Sequence, residues 1–337
     1  SISNDTRFGV SQSISFPTVY SRQRSLLEAE AGRSELESGL TQIKVKEQVK
    51  RLFYAVLVMQ SKQKLLAYAD SIYDQFLQKA ALRFEKGETN LLEKTAAETQ
   101  RKQIGIQLQQ LSSDLKIAIR NFNTLLNVEE AVIPEATDIK MPPVLSADNG
   151  NLDQSPAYKA YEQDIVIAER NSEFQKSRLL PDLTLGYNNQ SIIGIQNVNG
   201  TDKYYGGGKR FNSVQASVGI PLFAAAQNSR IKAARTQVLQ AQMDFYLGKQ
   251  QLTTAYQNAV EQYNNQLQNV KTYEAGLLNN TETIFKIANE QYLNGEINYL
   301  EWVMVVNQAV SVKSNYVDAV QQLNELSIHL ETLTANQ

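Results

Sequence analysis

No cysteine occurs among the 337 residues, which excludes a disulfide framework and a thiolate metal site. The single histidine, His329, assembles no Ser-His-Asp or Cys-His set, and a structural or solvated role is expected for it. The four methionines, Met59, Met141, Met243 and Met304, are scattered, so soft ligands give no support to a metal-cation cargo. Charge of neither sign dominates. With 33 basic and 35 acidic residues the net charge is −2, and no basic excess points to nucleic acid. Long apolar runs are missing too. The best, Leu52 to Met59, has eight residues, against the ~20 of a spanning helix. That excludes an inner-membrane transporter but says nothing against a β-barrel, whose strands give a weaker signal. No signal peptide is present, and Ser1 falls in mid-pattern, so a processed or trimmed start is expected. No enzyme site, metal or cofactor is expected. Disorder is excluded by the 42% hydrophobic content, and the length suggests two or three domains.

What is present is a duplication. "RFEKGETNLLE" (Arg83–Glu93) returns as "QYLNGEINYLE" (Gln291–Glu301), with Gly295 lying 208 residues after Gly87. Downstream, Leu108, Leu111, Leu115, Ala118, Phe122 and Leu125 step by 3 and 4. At the same 208-residue offset stand Tyr316, Ala319, Leu323, Leu326, Leu330 and Leu333. Upstream, "VSQSISFP" (Val10–Pro17) parallels "VQASVGIP" (Val214–Pro221) at an offset of 204, so about one helical turn has been inserted in between.

Each copy has the same order. A strand alternates apolar and small or polar residues: Phe8, Val10, Ile14 and Phe16 in the first copy, Val214, Ala216, Val218 and Ile220 in the second. Pro17 and Pro221 are expected to end these strands by removing a ladder donor. A very long helix follows, since only Gly248 and Gly276 interrupt the stretch from Pro221 to Gly295. Heptad seams run through Ile231, Ala234, Val238, Ala241, Phe245, Gly248, Leu252, Ala255 and Ala259, and through Val45, Val49, Leu52, Val56 and Met59. About 65 residues of helix measure roughly 100 Å, which demands support along the whole length.

Gly87 and Gly295 read as left-handed caps that stop the long helices. Asn90 with Glu93, and Asn298 with Glu301, have capping-box spacing, so a return helix starts at each. Residues 1–126 form the first structural repeat and 127–154 a Pro- and acid-rich linker that wraps the outside. Residues 155–337 form the second repeat: helix, two strands, long helix and return helix. The stretch 195–210 reads as a hairpin loop, and its "GGGKR" (Gly206–Arg210) is not a P-loop, lacking Ser or Thr after Lys209. The first copy's own first strand and preceding helix would lie before Ser1. That part is expected to have been disordered or removed, or the chain to be the tail of a longer polypeptide, such as an upstream fusion.

This order resembles the outer-membrane efflux protein family, the TolC-like channel tunnels. "SPAYKAYEQDIVIAERNSEFQKSRLLPDLTLGYNNQ" is similar to the family's helix running into an "LPDL" strand, and the two glycine motifs are similar to its paired tip signatures. The resemblance implies a mainly α fold with a minor β part. Three protomers close a twelve-stranded barrel in the outer membrane of a Gram-negative bacterium, and long helical hairpins continue it as an α-helical barrel across the periplasm. The implied partners are two further copies, a periplasmic adaptor (membrane fusion) protein, an inner-membrane RND-type pump and outer-membrane lipid. The chain would be a passive conduit. The implied tip and adaptor-docking residues are Phe84, Gly87, Glu88, Asn90, Glu93, Tyr292, Gly295, Glu296, Asn298 and Glu301. Glu93 and Glu301 stand where the family places a pore-constricting acid, and Glu88 and Glu296 would add a cation-favouring ring. Each also has a plainer reading as a cap or a solvated turn. The position two after the second glycine, often basic in the family, is Ile297. Physics agrees on oligomerisation, because three or four strands cannot close a barrel and open edges are intolerable in lipid. The competing reading is a non-pore helical-bundle scaffold or secretion-apparatus rod, which accounts for the heptads but not for the strands.

Overall fold

A computed structural model describes residues 4–87, 90–143 and 152–334. Its elements are β1 (Arg7–Ser15), α1 (Pro17–Glu85), α2 (Leu91–Leu126), a 3-10 turn (Leu152–Gln154), α3 (Pro156–Ser177), β2 (Asp182–Ser191), β3 (Gly194–Val198), β4 (Thr201–Tyr205) and β5 (Arg210–Gly219). Then come α4 (Ala225–Thr272), a π turn (Tyr273–Leu277), α5 (Leu278–Leu293) and α6 (Tyr299–Thr334).

The spacing of the two glycine motifs extends to the elements around them. α1 has 69 residues, and α4, the π turn and α5 together also span 69, from Ala225 to Leu293. α2 and α6 have 36 residues each. Both pairs begin 208 residues apart, so the four extra residues are not a turn added within the long helix. They lie at the joint Pro221–Ala224, between the end of β5 and the start of α4. Pro17, by contrast, is the first residue of α1, where its missing N–H costs nothing. The second long helix is interrupted by the π turn around Gly276. There Glu274 accepts from Lys140 Nζ (2.8 Å) and from the Tyr316 hydroxyl (3.0 Å).

Two compact units form, and each draws on both halves of the sequence. One comprises residues 1–38 and 157–249, the other 39–156 and 250–337. In the first, β1, β2 and β5 make an antiparallel sheet in the order β1-β2-β5. The second repeat carries four strands rather than the expected two. The stretch read as loop holds the hairpin β3–β4, turned by Asn199 (φ 55°) and Gly200 (φ 81°). An Asn-Gly pair with both residues at positive φ is a two-residue turn whose twist suits a hairpin. The helices of this unit approach over small residues, Ala29, Ala160, Ser172 and Ala234, with Ile231 buried beside them. Gln163 Nε2 donates to the Ala29 carbonyl (2.7 Å), and Arg33 meets Asp164 (2.8 Å). At Gly248 a Cβ would come within 2.5 Å of the Tyr161 ring.

The second unit has two hydrophobic clusters on heptad-spaced positions. One joins Ala69, Tyr73, Phe76 and Ala80 of α1 to Ala97 and Ile104 of α2 and to Tyr299, Trp302 and Val306 of α6. The other joins Tyr256, Ala259, Tyr263 and Val270 of α4 to Val320, Leu323 and Leu330 of α6. Val45, at the head of one expected seam, is exposed. Two asparagines hold the connecting segment. Asn123 accepts from Val132 N (2.7 Å) and donates to Val132 O (2.9 Å). Asn324, 1% exposed, accepts from Met141 N (2.8 Å) and donates to Ile139 O (2.7 Å). Each amide thus imitates a neighbouring strand.

Asn324→Ala leaves a buried N–H and C=O unpaired. It is expected to cost about 2–3 kcal/mol in chemical denaturation and to open residues 127–143 to protease. An unchanged cleavage rate would show that the amide does not hold the segment. Gly248→Ala is expected to destabilise by about 1–3 kcal/mol despite alanine's better helix propensity, and Tyr161→Ala in the same chain should abolish that penalty.

Candidate functional site

Two features stand out, one in each unit. The first is the sheet. The register pairs Val10 with Tyr187, Ile14 with Leu183, Tyr187 with Val214, and Leu183 with Val218. Because side chains alternate, these residues share one face with Phe8, Leu185 and Ala216. The opposite face carries Ser11, Ser13, Thr184, Asn188, Ser213, Gln215 and Ser217, where Ser13 and Thr184 share a hydroxyl hydrogen bond (2.8 Å). The apolar face is bare: Val10 is 76% and Val214 83% exposed. In the joint beyond β5, Ile220, Leu222 and Phe223 are exposed too, Phe223 at 98%. Apolar patches of this extent mark a partner or a membrane. The outer edges of β1 and β5 have no strand beside them among the described residues. No described helix is long and apolar enough to cross a membrane.

The second feature is the pair of helix reversals. Gly87 (φ 74°) and Gly295 (φ 75°) are both left-handed. Gly295 N donates to Tyr292 O (3.1 Å) and Glu296 N to Gln291 O (2.9 Å), a full Schellman closure. Gly87 N makes the matching bond to Phe84 O (3.0 Å), while Glu88 lies outside the described residues. A Cβ at either glycine would meet nothing within 4 Å, so the requirement is conformational. Beyond the turns, Asn90 accepts from Glu93 N (3.1 Å), and Asn298 accepts from Glu301 N (3.1 Å). In the second reversal the box is reciprocal, with Asn298 N donating to Glu301 Oε2 (2.9 Å).

The equivalent acids do different work. Glu301 is exposed and closes its box, and Glu296 is exposed on the turn. The Glu93 side chain is only 13% exposed. It accepts from the Tyr292 hydroxyl (3.2 Å) and lies 3.6 Å from Arg83 Nη1, which itself approaches Tyr292 Oη at 3.4 Å. The two reversals therefore meet, the acid of one against the aromatic of the other. The matching aromatic of the first, Phe84, lies beneath the Lys94 ammonium, 5.4 Å from its centroid. Ile297 packs on the hydrophobic cluster instead of supplying a charge.

Sequence reasoning missed the floor of this site. Phe76 stacks on Tyr299 (4.4 Å between centroids) and on Trp302 (4.8 Å), and Tyr292 covers both Phe76 (5.3 Å) and Trp302 (5.4 Å). The Tyr299 hydroxyl and the Trp302 indole N–H are buried without an acceptor among the described residues, so stacking and burial hold this cluster. The available signal was the sole tryptophan, next to Glu301 in one copy of the motif. Burial pushes the Tyr292 phenol up to about 12, reinforced by Glu93 and opposed by Arg83. Burial, then Glu93 and Tyr292, raise Tyr299 to about 12 as well.

Comparison with known proteins follows the same lines. The sequence profile described as "Outer membrane efflux protein" matches residues 150–336. Among curated proteins no sequence match was found. Among solved structures, the outer-membrane channel OprN superposes with a TM-score of 0.77 at 13% identity, covering 99% of this chain and 82% of its own. The outer membrane protein VceC from Vibrio cholerae gives 0.73 at 11%, covering 98% and 86%. The CmeC outer membrane channel of Campylobacter jejuni gives 0.75 at 11%, covering 98% and 77%. At such identities these likenesses establish the fold.

Phenols with a folded pKa above the ordinary value near 10 stabilise the fold fully below that pH. The contribution is lost as pH rises from about 10 toward 12. Thermal melts followed by circular dichroism should fall steeply over that window, and Tyr292→Phe should flatten the fall. An equal slope in the variant would remove Tyr292 from the explanation. Gly87→Ala and Gly295→Ala are each expected to cost about 1 kcal/mol, and the corresponding Asn variants less.

Proposed function

The chain belongs to the outer membrane efflux protein family, and on that premise we propose that it is the outer-membrane channel of a tripartite efflux system, a passive trimeric conduit. Residues 1–126 and 155–337, joined by 127–154, are the two repeats each protomer contributes. The observation that carries this reading is the two-faced sheet. A serine-rich face backed by a bare apolar one suits a wall between an aqueous bore and lipid, and has no use in a solid rod. The open edges of β1 and β5 must find further strands, because lipid offers a peptide group no hydrogen bond. The helices attach at one end of the sheet, through α1, α3 and α4, so that end faces the periplasm.

The reversals are read as the periplasmic tip, where Phe84, Gly87, Glu88, Asn90 and Glu93 of one copy and Tyr292, Gly295, Glu296, Asn298 and Glu301 of the other narrow the bore and receive an adaptor protein. The pump partner, of the RND type, supplies the energy. Within the tip, Glu93 with Arg83 and Tyr292 forms a tie between neighbouring hairpins that keeps the opening narrow. Glu296 and Glu88 supply negative charge that favours cations.

Purified in detergent, the protein should have the mass of a trimer and conduct ions in a planar bilayer. A monomer with no conductance would overturn the reading in favour of a scaffold. Glu93→Ala removes the tie and is expected to raise single-channel conductance several-fold while leaving the trimer intact. Glu296→Gln should reduce cation preference in the reversal potential. An Ala variant that conducts like the parent would separate Glu93 from the constriction.

A further inference from the structure

The "GGGKR" stretch has no part in the channel reading, yet its last residue holds an unusual position. Arg210 opens β5, and its parity places it on the same face as Asn212, Val214, Ala216 and Val218. It therefore lies on the apolar side, at the end of the strands remote from the helices. Its surroundings hold it in one orientation. Nε donates to Asn189 Oδ1, Nη2 to the Asn189 carbonyl (3.2 Å), and Nη1 to Thr6 Oγ1 (2.7 Å). The guanidinium carbon lies 5.2 Å from the centroid of the Phe8 ring. Asn189 is itself fixed, since its Nδ2 donates to Asn212 Oδ1 (2.6 Å), which also accepts from the Tyr187 hydroxyl (2.9 Å).

Every one of those partners is neutral. Asp5, two residues before β1, accepts instead from Ile193 N (2.7 Å) and Ser191 Oγ (3.3 Å). Among the described residues no carboxylate forms a salt bridge with Arg210. A full positive charge thus sits at the margin of an apolar face, held by three acceptors, with one N–H left on each terminal nitrogen. That edge of the fork matches a phosphate, which accepts two parallel hydrogen bonds. An arginine is costly at the midplane of a bilayer but costs almost nothing near the interface, where anionic headgroups are available.

We propose that Arg210, positioned by Asn189, Thr6 and Phe8, binds the phosphate of a lipid in the outer leaflet, one per protomer. The proposal rests on the barrel reading above, which makes this face the lipid side and this end the outer one. Arg7 serves as its internal control. It pairs with Asn188 Oδ1 (3.1 Å) on the opposite, polar face of the same strands.

The test uses the full chain, delipidated in detergent and examined by native mass spectrometry with synthetic bisphosphorylated lipid A, its dephosphorylated form, and inorganic phosphate. The phosphorylated lipid is expected to saturate at one per protomer. Arg210→Gln should weaken it about tenfold or more, as loss of a charge-assisted pair requires. Arg210→Lys should be intermediate, Arg7→Gln should match the parent, and millimolar inorganic phosphate should not compete. The proposal is overturned if Arg210→Gln binds like the parent, if the dephosphorylated lipid binds equally, or if Arg7→Gln is as damaging. Competition by inorganic phosphate at equal potency would make the site one for free anions and overturn the lipid assignment. Conductance of the same preparations separates the two levels. A parent that conducts without Arg210-dependent lipid binding sinks this proposal alone, whereas a parent that neither trimerises nor conducts sinks the channel reading as well.

Discussion

A peptide group facing hydrocarbon has no water to bond, and on the channel reading that constraint governs the sheet. Among the described residues β1 and β5 each leave a row of N–H and C=O groups without a strand beside them, and one face of the sheet is apolar. Neither difficulty has a solution among the described residues. On the channel reading, closure with further copies satisfies the edges, turns the apolar face to lipid and encloses the polar one, which makes oligomerisation a condition of folding in the membrane rather than a later association. The long helices grow from one end of those strands, and on the channel reading they inherit the ring that closure creates.

The duplication shows how one motif can serve two purposes. Both copies use glycine at positive φ to end a long helix and asparagine to start the next. The acids then diverge. Glu301 completes a local box, whereas Glu93 turns to Arg83 and to Tyr292 of the other reversal. Residues in one sequence neighbourhood thus supply stability in one copy and a contact between hairpins in the other. The four added residues at Pro221–Ala224 are a second asymmetry. They leave both long helices at 69 residues, so the reversals stay in step, and they include the exposed Phe223.

What the sequence made legible was local or periodic. The left-handed glycines, the capping pairs, the strand alternation and most of the heptad seams rest on residues a few positions apart. The family's fold is that of the solved channels. The Asn199-Gly200 hairpin was legible in principle but was lost among the neighbouring glycines. The insertion was counted correctly, but an offset between two motifs does not say where between them it arises. The floor of the reversals was out of reach. Phe76 meets Tyr299 and Trp302 across more than 200 residues, and nothing in the local pattern pairs them. The same holds for Asn324, whose position on a helix gives no hint that it docks the backbone at Ile139 and Met141.

The most direct measurement of the central claim is a spin-label scan of residues 211–218 in the protein reconstituted in lipid vesicles. Closure of β5 into a lipid-embedded wall predicts a period of two. Labels at 212, 214, 216 and 218 should relax with oxygen dissolved in the bilayer, and those at 211, 213, 215 and 217 with a water-soluble nickel complex. Uniform access to the aqueous reagent, or the absence of alternation, would contradict it.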